Sequence, residues 1–303
     1  MRIEVTRALP DGSVRSVMPF HVCMKGLEDA VLCRDDQDYD ILVKIIFLVA
    51  RAKNVIVVIY SVVSNHCHVC ILSPSQECSD AFAEEVKQRY GIWFARKYRE
   101  HGIMRGTKVS AIMLTDRWHV RNVLAYVPRN ALDNGQNVNT YKWSGYRGMF
   151  CRTKPDGHFR RVDSLSVREA RAVFHSADKL DMVPWLLNPD DEIEPVSACD
   201  HDFLEQAFEY DQAFFLKTIG ALNVAEMNYE MEERPFNMLP DSEFYKSVNE
   251  VAGKWFGTDL GSLPLEKKYR LLPFIYRSRK TTVSQLARVF GVGREVVRGI
   301  LRS

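Results

Sequence analysis

Two histidines separated by one residue, His66 and His68, are the side chains best suited to chemistry in this chain. They stand in a run, residues 66–72, whose apolar and β-branched residues predict a strand. Alternate residues of a strand point to the same side, so the two imidazoles should lie about 7 Å apart on one face. Two neighbouring imidazoles can supply part of a divalent-metal site, although such a pair also arises by chance.

Two cysteines beside these histidines, Cys67 and Cys70, raise the alternative of a structural zinc site. A strand would point their thiols to opposite faces, and no second Cys or His pair follows at zinc-finger spacing. The seven cysteines are an odd number and scattered, which is typical of reduced thiols in a cytoplasmic protein. Structural zinc is therefore the less favoured interpretation.

A tyrosine and an asparagine four residues apart, Tyr126 and Asn130, are the next candidates. Asp116 can cap a helix that starts at residue 117, and residues four apart on a helix share a face. A phenol and an amide oxygen aimed at the histidines could act as a nucleophile and as a third metal ligand. The alternative is a tyrosine that only packs in the core. Pro128 removes one helical hydrogen bond between the two residues and can kink the chain.

The elements that must position these residues alternate between strands and helices over residues 1–150. Their apolar patterns predict a central hairpin of two strands with further strands and helices on either side. An α+β sandwich with an antiparallel sheet follows, and a ferredoxin-like arrangement would fit it. The predicted strands are 20–25, 55–63, 66–72 and 109–114, and the predicted helices are 39–53, 79–98 and 117–127.

Charge is unevenly distributed in the rest of the chain. Residues 178–211 hold eleven acids and one lysine, whereas residues 267–303 hold ten lysines and arginines and one glutamate. Amphipathic helices are predicted at 164–179 and 202–219. We therefore divide the chain into residues 1–150, which carry the candidate chemistry, a helical acidic middle at 151–262, and a basic unit at 263–303.

The basic C-terminal unit has the pattern of a helix-turn-helix. Helices are predicted at 264–276, 282–290 and 294–301, and a glycine-containing turn separates the last two. A basic helix after a tight turn is typical of a recognition helix that contacts duplex DNA, here through Arg294, Arg298 and Arg302. A three-helix packing module without a DNA role is the alternative.

A second basic stretch, residues 93–108, places aromatic rings between cations. Phosphates attract cations and unstacked bases stack on rings, so this composition suits single-stranded DNA. A solvent-exposed helix face is the alternative. The candidate contacts are Arg96, Lys97, Arg105 and Lys108.

Five short motifs, in this order and at about this spacing, resemble the REP-associated tyrosine transposases within the wider HUH class of single-strand transposases. The resemblance covers roughly residues 15–150, and Lys25 stands where an arginine is common in the first strand. The motifs are Phe20-His21-Val22-Cys23-Met24-Lys25-Gly26, Asn65-His66-Cys67-His68, Phe94-Ala95-Arg96-Lys97-Tyr98, Tyr126-Val127-Pro128-Arg129-Asn130 and Tyr141-Lys142-Trp143-Ser144-Gly145-Tyr146-Arg147.

This resemblance implies a bacterial enzyme that cuts and rejoins single-stranded DNA, with Lys25 among its DNA contacts. His66, His68 and Asn130 would hold Mg²⁺ or Mn²⁺, and Tyr126 would be the nucleophile that forms a 5′-phosphotyrosine. The expected substrate is a DNA hairpin with a single-stranded flank, with duplex contacts from the helix-turn-helix. A DNA-binding regulator without catalysis is the alternative in another class.

Neither a membrane span nor a signal peptide is expected from the sequence. Residues 1–18 hold no apolar run, and no stretch approaches about 18–20 uninterrupted apolar residues. Together with the cysteine pattern, this predicts a cytoplasmic protein.

Overall fold

The computed structural model describes residues 3–25, 31–133, 137–138, 140–150, 157–221, 241–279, 281 and 283–302. The chain forms two compact units, Met1–Leu222 and Asn223–Ser303. The helices between residues 157 and 221 therefore belong to the first unit. The functional division at residues 150 and 262 stays a prediction.

An antiparallel sheet of five strands lies at the centre of the first unit. β2 is long enough to pair with β1 through its first residues and with both β4 and β5 through its second half. The histidine strand β4 therefore lies between β2 and β3. The strands are β1 (Val5–Ala8), β2 (Val14–Lys25), β3 (Ile56–Val62), β4 (His66–Ser73) and β5 (Lys108–Met113). The predicted α+β class with an antiparallel sheet is confirmed.

Helices cover both faces of this sheet. Cys67, Val69 and Ile71 of β4 point into the core formed with α1 (Asp36–Ala52) and α2 (Gln76–Tyr98). The residues between them, His66 and His68, point to the other face, where α3 (Arg117–Asp133) packs on β3 and β4. The strand alternation that the sequence predicts thus separates an apolar face from a face that carries the candidate chemistry.

Shorter elements complete the first unit, and two of the predicted helices are shorter or divided. His175, with φ 49°, ends α4 in the left-handed conformation, and Glu209 and Tyr210, with φ 58° and 57°, interrupt the predicted helix 202–219. The two resulting helices α6 and α7 pack against α3. The elements are β6 (Arg160–Arg161), α4 (Val167–Phe174), β7 (Leu186–Leu187), α5 (Pro195–Ala198), α6 (His201–Ala207) and α7 (Gln212–Ala221).

The described part of the second unit is helical. Its core joins all of its helices, and Gly291 supplies a positive φ of 66° in the turn before the last one. The helices are α8 (Asp241–Phe256), α9 (Leu265–Ser278), α10 (Val283–Phe290) and α11 (Arg294–Arg302). Across both units, none of the described helices combines the length and apolar character that a bilayer crossing needs.

Candidate active site

The predicted nucleophile and the paired histidines lie on the same face of the sheet. The ring of Tyr126 is 5.0 Å from that of His68 between centroids, at an interplanar angle of 78°. The rings of His66 and His68 are 4.9 Å apart. Tyr126 is buried, with only 2% of its surface exposed, and the surroundings of its ring include imidazoles as well as apolar side chains. The sheet and α3 therefore bring these three side chains together.

The predicted third ligand, Asn130, reaches the same cluster. Helix α3 begins after the Asp116 cap and continues through Pro128, so Tyr126 and Asn130 keep a common face. The amide nitrogen of Asn130 donates to the backbone carbonyls of Tyr126 at 3.0 Å and Val127 at 3.2 Å. These two bonds fix the orientation of the amide and leave its oxygen 3.1 Å from Nε2 of His66.

Both ring nitrogens of His66 face amide oxygens. Nδ1 lies 2.7 Å from Oδ1 of Asn65, and Nε2 faces Oδ1 of Asn130. A neutral imidazole carries one N–H, so it can donate to only one of these two oxygens. If Nδ1 donates to Asn65, a lone pair on Nε2 faces the oxygen of Asn130. A cation bound by both atoms would remove that repulsion.

A third histidine, for which no role was predicted, joins the cluster from β2. Nε2 of His21 lies 3.0 Å from Nδ1 of His68, and the two rings meet edge to edge, with centroids 5.1 Å apart and planes 12° from parallel. His21 is 1% exposed, and burial, aided by the charge of His119, lowers its pKa to about 3. His21 is therefore a neutral ring that holds His68 by one nitrogen and directs Nε2 of His68 to other partners.

The residues present fit a small divalent cation. Ligand atoms in neighbouring positions of an octahedral ion with bonds of about 2.1 Å lie roughly 3.0 Å apart, close to the separation of the Asn130 oxygen and the His66 nitrogen. Two polar atoms near the cluster, Nδ1 of His21 and Oγ of Ser61, are buried without a hydrogen-bond partner in the described part of the chain. Ser61 lies opposite His68 where β3 pairs with β4, so both of these unpartnered atoms lie beside the paired histidines.

The structural zinc alternative gains no support from the geometry. Among the residues that the structure describes, no group of three or more His, Cys, Asp and Glu side chains could hold a metal ion. The candidate ligands here are two imidazoles and one amide. Cys67 lies in the core on the opposite face of the sheet, and burial raises the pKa of both Cys67 and Cys70 above the usual range of a thiol.

The candidate DNA contacts of the first unit differ in their surroundings. Arg96, Arg105 and Lys108 are exposed, and none of them forms an ion pair with another described residue. Lys25 pairs with His66 on one side and with Lys108 on the other, which places it at the histidine end of the sheet.

In the second unit, Arg294 is exposed on α11 and Arg298 pairs with Glu295. The side chains of Lys25 and Arg302 lie outside the described residues.

Lys97 differs from the other candidate contacts because its charge is used inside the fold. Its ammonium group donates to Asp35 at 2.6 Å and to the fully buried Asp38 at 2.8 Å. Asp35 is the N-cap of α1, and it forms a capping box with Asp38. Lys97 therefore joins the end of α2 to the start of α1.

Replacing Lys97 by methionine should lower the free energy of unfolding of the first unit, because the charge of Lys97 acts mainly within the fold and less as a DNA contact. Removing Lys97 leaves the buried charge of Asp38 without its cation, although the hydroxyl of Tyr98 still donates to this carboxylate, and we expect a loss of roughly 2–4 kcal/mol in the free energy of unfolding. Lys108→Met is the matched control, since Lys108 is exposed and its change should stay within about 0.5 kcal/mol. Urea unfolding of both variants tests this expectation, and equal stabilities would contradict it.

Comparisons with protein-family models, curated proteins and solved structures find no match for this chain. Its function is therefore inferred from the geometry of the site and from the ordered motifs of the sequence.

Proposed function

We propose that this protein cleaves and rejoins single-stranded DNA through a covalent bond between Tyr126 and a 5′-phosphate. The observation that carries the proposal is the packing of the Tyr126 ring on His68, with the oxygen of Asn130 held at Nε2 of His66. A nucleophile, two imidazoles and an oriented amide oxygen from two separate elements thus converge on one face of the sheet.

The proposal includes the family that the motifs resemble, the REP-associated tyrosine transposases. Two features of the first unit support a ferredoxin-like core. The strands β2, β3, β4 and β5 are linked as strand, helix, two strands, helix, strand, and their order across the sheet is β5-β2-β4-β3. In the second unit, α10 and α11 around Gly291 support a helix-turn-helix that contacts duplex DNA.

Three atoms would hold Mg²⁺ or Mn²⁺ in this proposal: Nε2 of His66, Oδ1 of Asn130 and Nε2 of His68. When bound, the cation polarises the scissile phosphate and offsets the negative charge that develops on it. All three ligands are neutral, so they leave most of the charge of the cation available to an anionic substrate. Hard Mg²⁺ favours oxygen ligands, and two imidazoles therefore favour Mn²⁺ in assays.

Tyr126 carries out the bond exchange. Its phenol oxygen forms a bond to phosphorus, and the bond from phosphorus to the 3′ oxygen of the preceding nucleotide breaks. The phenol proton is lost to solvent, and the departing oxygen gains a proton to become a 3′-hydroxyl. A free phenol has a pKa of about 10, so charge stabilisation at the phosphate matters for the rate. One phosphodiester replaces another, and the reverse reaction rejoins strands without ATP.

A DNA-binding protein without catalysis is the second candidate, and the burial of Tyr126 favours it. Helices α6 and α7 pack against α3. The guanidinium group of Arg121 donates to the carbonyl of Ala207 at 2.6 Å and to Glu209 at 2.9 Å, and Arg129 donates to the carbonyl of Ile219. Catalysis requires a scissile phosphate to reach the phenol, so the elements that bury Tyr126 must move when DNA binds.

A covalent-adduct assay separates the two candidates. The full chain is incubated with Mn²⁺ and a DNA hairpin that carries a single-stranded flank labelled at its 3′ end, and the products are run on a denaturing gel. Catalysis predicts a labelled protein band that disappears when EDTA replaces Mn²⁺. Binding of the same DNA without an adduct, for labelled flanks on either side of the hairpin, would support the non-catalytic candidate.

A further inference from the structure

The outward face of α9 combines cations with an exposed aromatic ring. Residues three or four apart share one side of a helix, and on α9 this side carries Lys267, Arg270, Phe274 and Arg277, all exposed. The part of α9 turned toward the core holds the buried Leu271, Leu272 and Ile275, which pack into the core of the second unit. The exposed stripe is thus a surface that the core does not use.

A second aromatic ring extends this surface from α8. Trp255 packs on Phe274 with 4.5 Å between centroids at an angle of 46°, yet Trp255 remains 49% exposed and Phe274 40% exposed. The ammonium group of Lys267 lies 5.4 Å from the ring centroid of Phe256, next to Trp255. Large rings left in water at one place are typical of binding surfaces.

The charges around these rings point to an anionic partner. Lys254, Lys267, Arg270 and Arg277 form no ion pair or hydrogen bond with other side chains in the residues the structure describes. A second copy of this chain docked on the same face would bring these cations against each other. A lipid surface would need a continuous apolar stripe, whereas here cations stand on both sides of Phe274 along the helix.

We infer that this face of the second unit, formed by Trp255 and Phe274 with Lys267 and Arg270, binds single-stranded nucleic acid. Unstacked bases pack on the exposed ring faces, and the cations beside them contact the phosphates. This contact differs from the duplex contact of α11 and needs neither Tyr126 nor a metal ion.

Binding of a short oligothymidylate to the full chain tests the inference. A labelled strand of about 20 nucleotides, which forms no hairpin, is titrated in EDTA and followed by fluorescence anisotropy. Trp255→Ala and Phe274→Ala should each weaken binding by about tenfold, within the range known for one stacked base. Trp255→Phe should recover most of the affinity because it keeps a ring. Tyr245→Ala, an exposed aromatic elsewhere on α8, is the matched control and should change little.

Salt dependence and crosslinking identify the contact itself. Lys267→Gln and Arg270→Gln should each lower the slope of log affinity against log salt by about 0.7. Oligonucleotides with 5-iododeoxyuridine should crosslink to peptides that contain Trp255 or Phe274. Unchanged affinity in both alanine variants, with crosslinks confined to other peptides, overturns the inference. Two other results would also overturn it, each combined with unchanged oligothymidylate affinity in Trp255→Ala. The first is that this substitution abolishes a dimer of the chain, and the second is that the protein binds anionic vesicles in place of DNA. Because the assay contains EDTA, its result is independent of the Tyr126 adduct.

Discussion

Tyr126→Phe should lose the covalent DNA adduct, with the rate of adduct formation lowered by at least about a thousandfold. The substitution removes only the phenol oxygen, which is the atom that would bond to phosphorus. The ring remains, so its packing on His68 at 5.0 Å should persist. We therefore expect a change of about 1 kcal/mol in the free energy of unfolding and nearly unchanged affinity for the hairpin DNA. Single-turnover adduct assays and anisotropy titrations measure the two properties separately.

Tyr141→Phe is the matched control for this variant. The hydroxyl of Tyr141 donates to the carbonyl of Val62 at 2.6 Å, so its loss removes a structural hydrogen bond at the end of β3. The cost should again be about 1 kcal/mol, but the adduct should form at the normal rate. An adduct that persists in Tyr126→Phe would show that the covalent bond forms at another residue and would remove the central step of the proposed function.

The parts of the fold that could be predicted are those set by local patterns. The alternation in β4 separates His66 and His68 from Cys67, and the spacing in α3 keeps Tyr126 and Asn130 on one face through Pro128. Both follow from the period of a single element, and no partner element is needed to deduce them. The structure then brings the two pairs together, with Asn130 at His66 and Tyr126 at His68.

The parts that could not be predicted depend on contacts between distant segments. His21 reaches His68 only because β2 pairs with β4 in the observed register, and a single strand gives no sign of that register. The same limit applies to Lys97, whose ion pairs with the start of α1 set it apart from Arg96, Arg105 and Lys108. The packing of α6 and α7 over α3 also required the folded chain, as did the bounds of α8, which lies in the middle region predicted to be helical but had no helix of its own assigned there.

His21→Phe should weaken Mn²⁺ binding by about tenfold to a hundredfold, the range known for the loss of a partner that orients a metal ligand. In the proposed site, His68 binds the cation through Nε2, so its proton must reside on Nδ1. Nε2 of His21, 3.0 Å away, would then accept the hydrogen bond from that proton and so stabilise this tautomer in the proposed site. Phenylalanine fills the space of the imidazole but cannot accept, which leaves His68 free to adopt the tautomer that cannot bind metal.

Mn²⁺ titration followed by electron paramagnetic resonance measures this affinity without DNA and without turnover. His21→Gln provides the test of mechanism, because its side-chain amide can place an acceptor close to the position of Nε2. We expect His21→Gln to retain most of the Mn²⁺ affinity, whereas a loss that only followed from weaker packing would be as large in His21→Gln as in His21→Phe. Thermal unfolding of the metal-free variants separates the two causes, since orientation of His68 affects the metal affinity and packing affects the stability. Equal Mn²⁺ affinity in the wild type and His21→Phe would mean that His21 does not position His68.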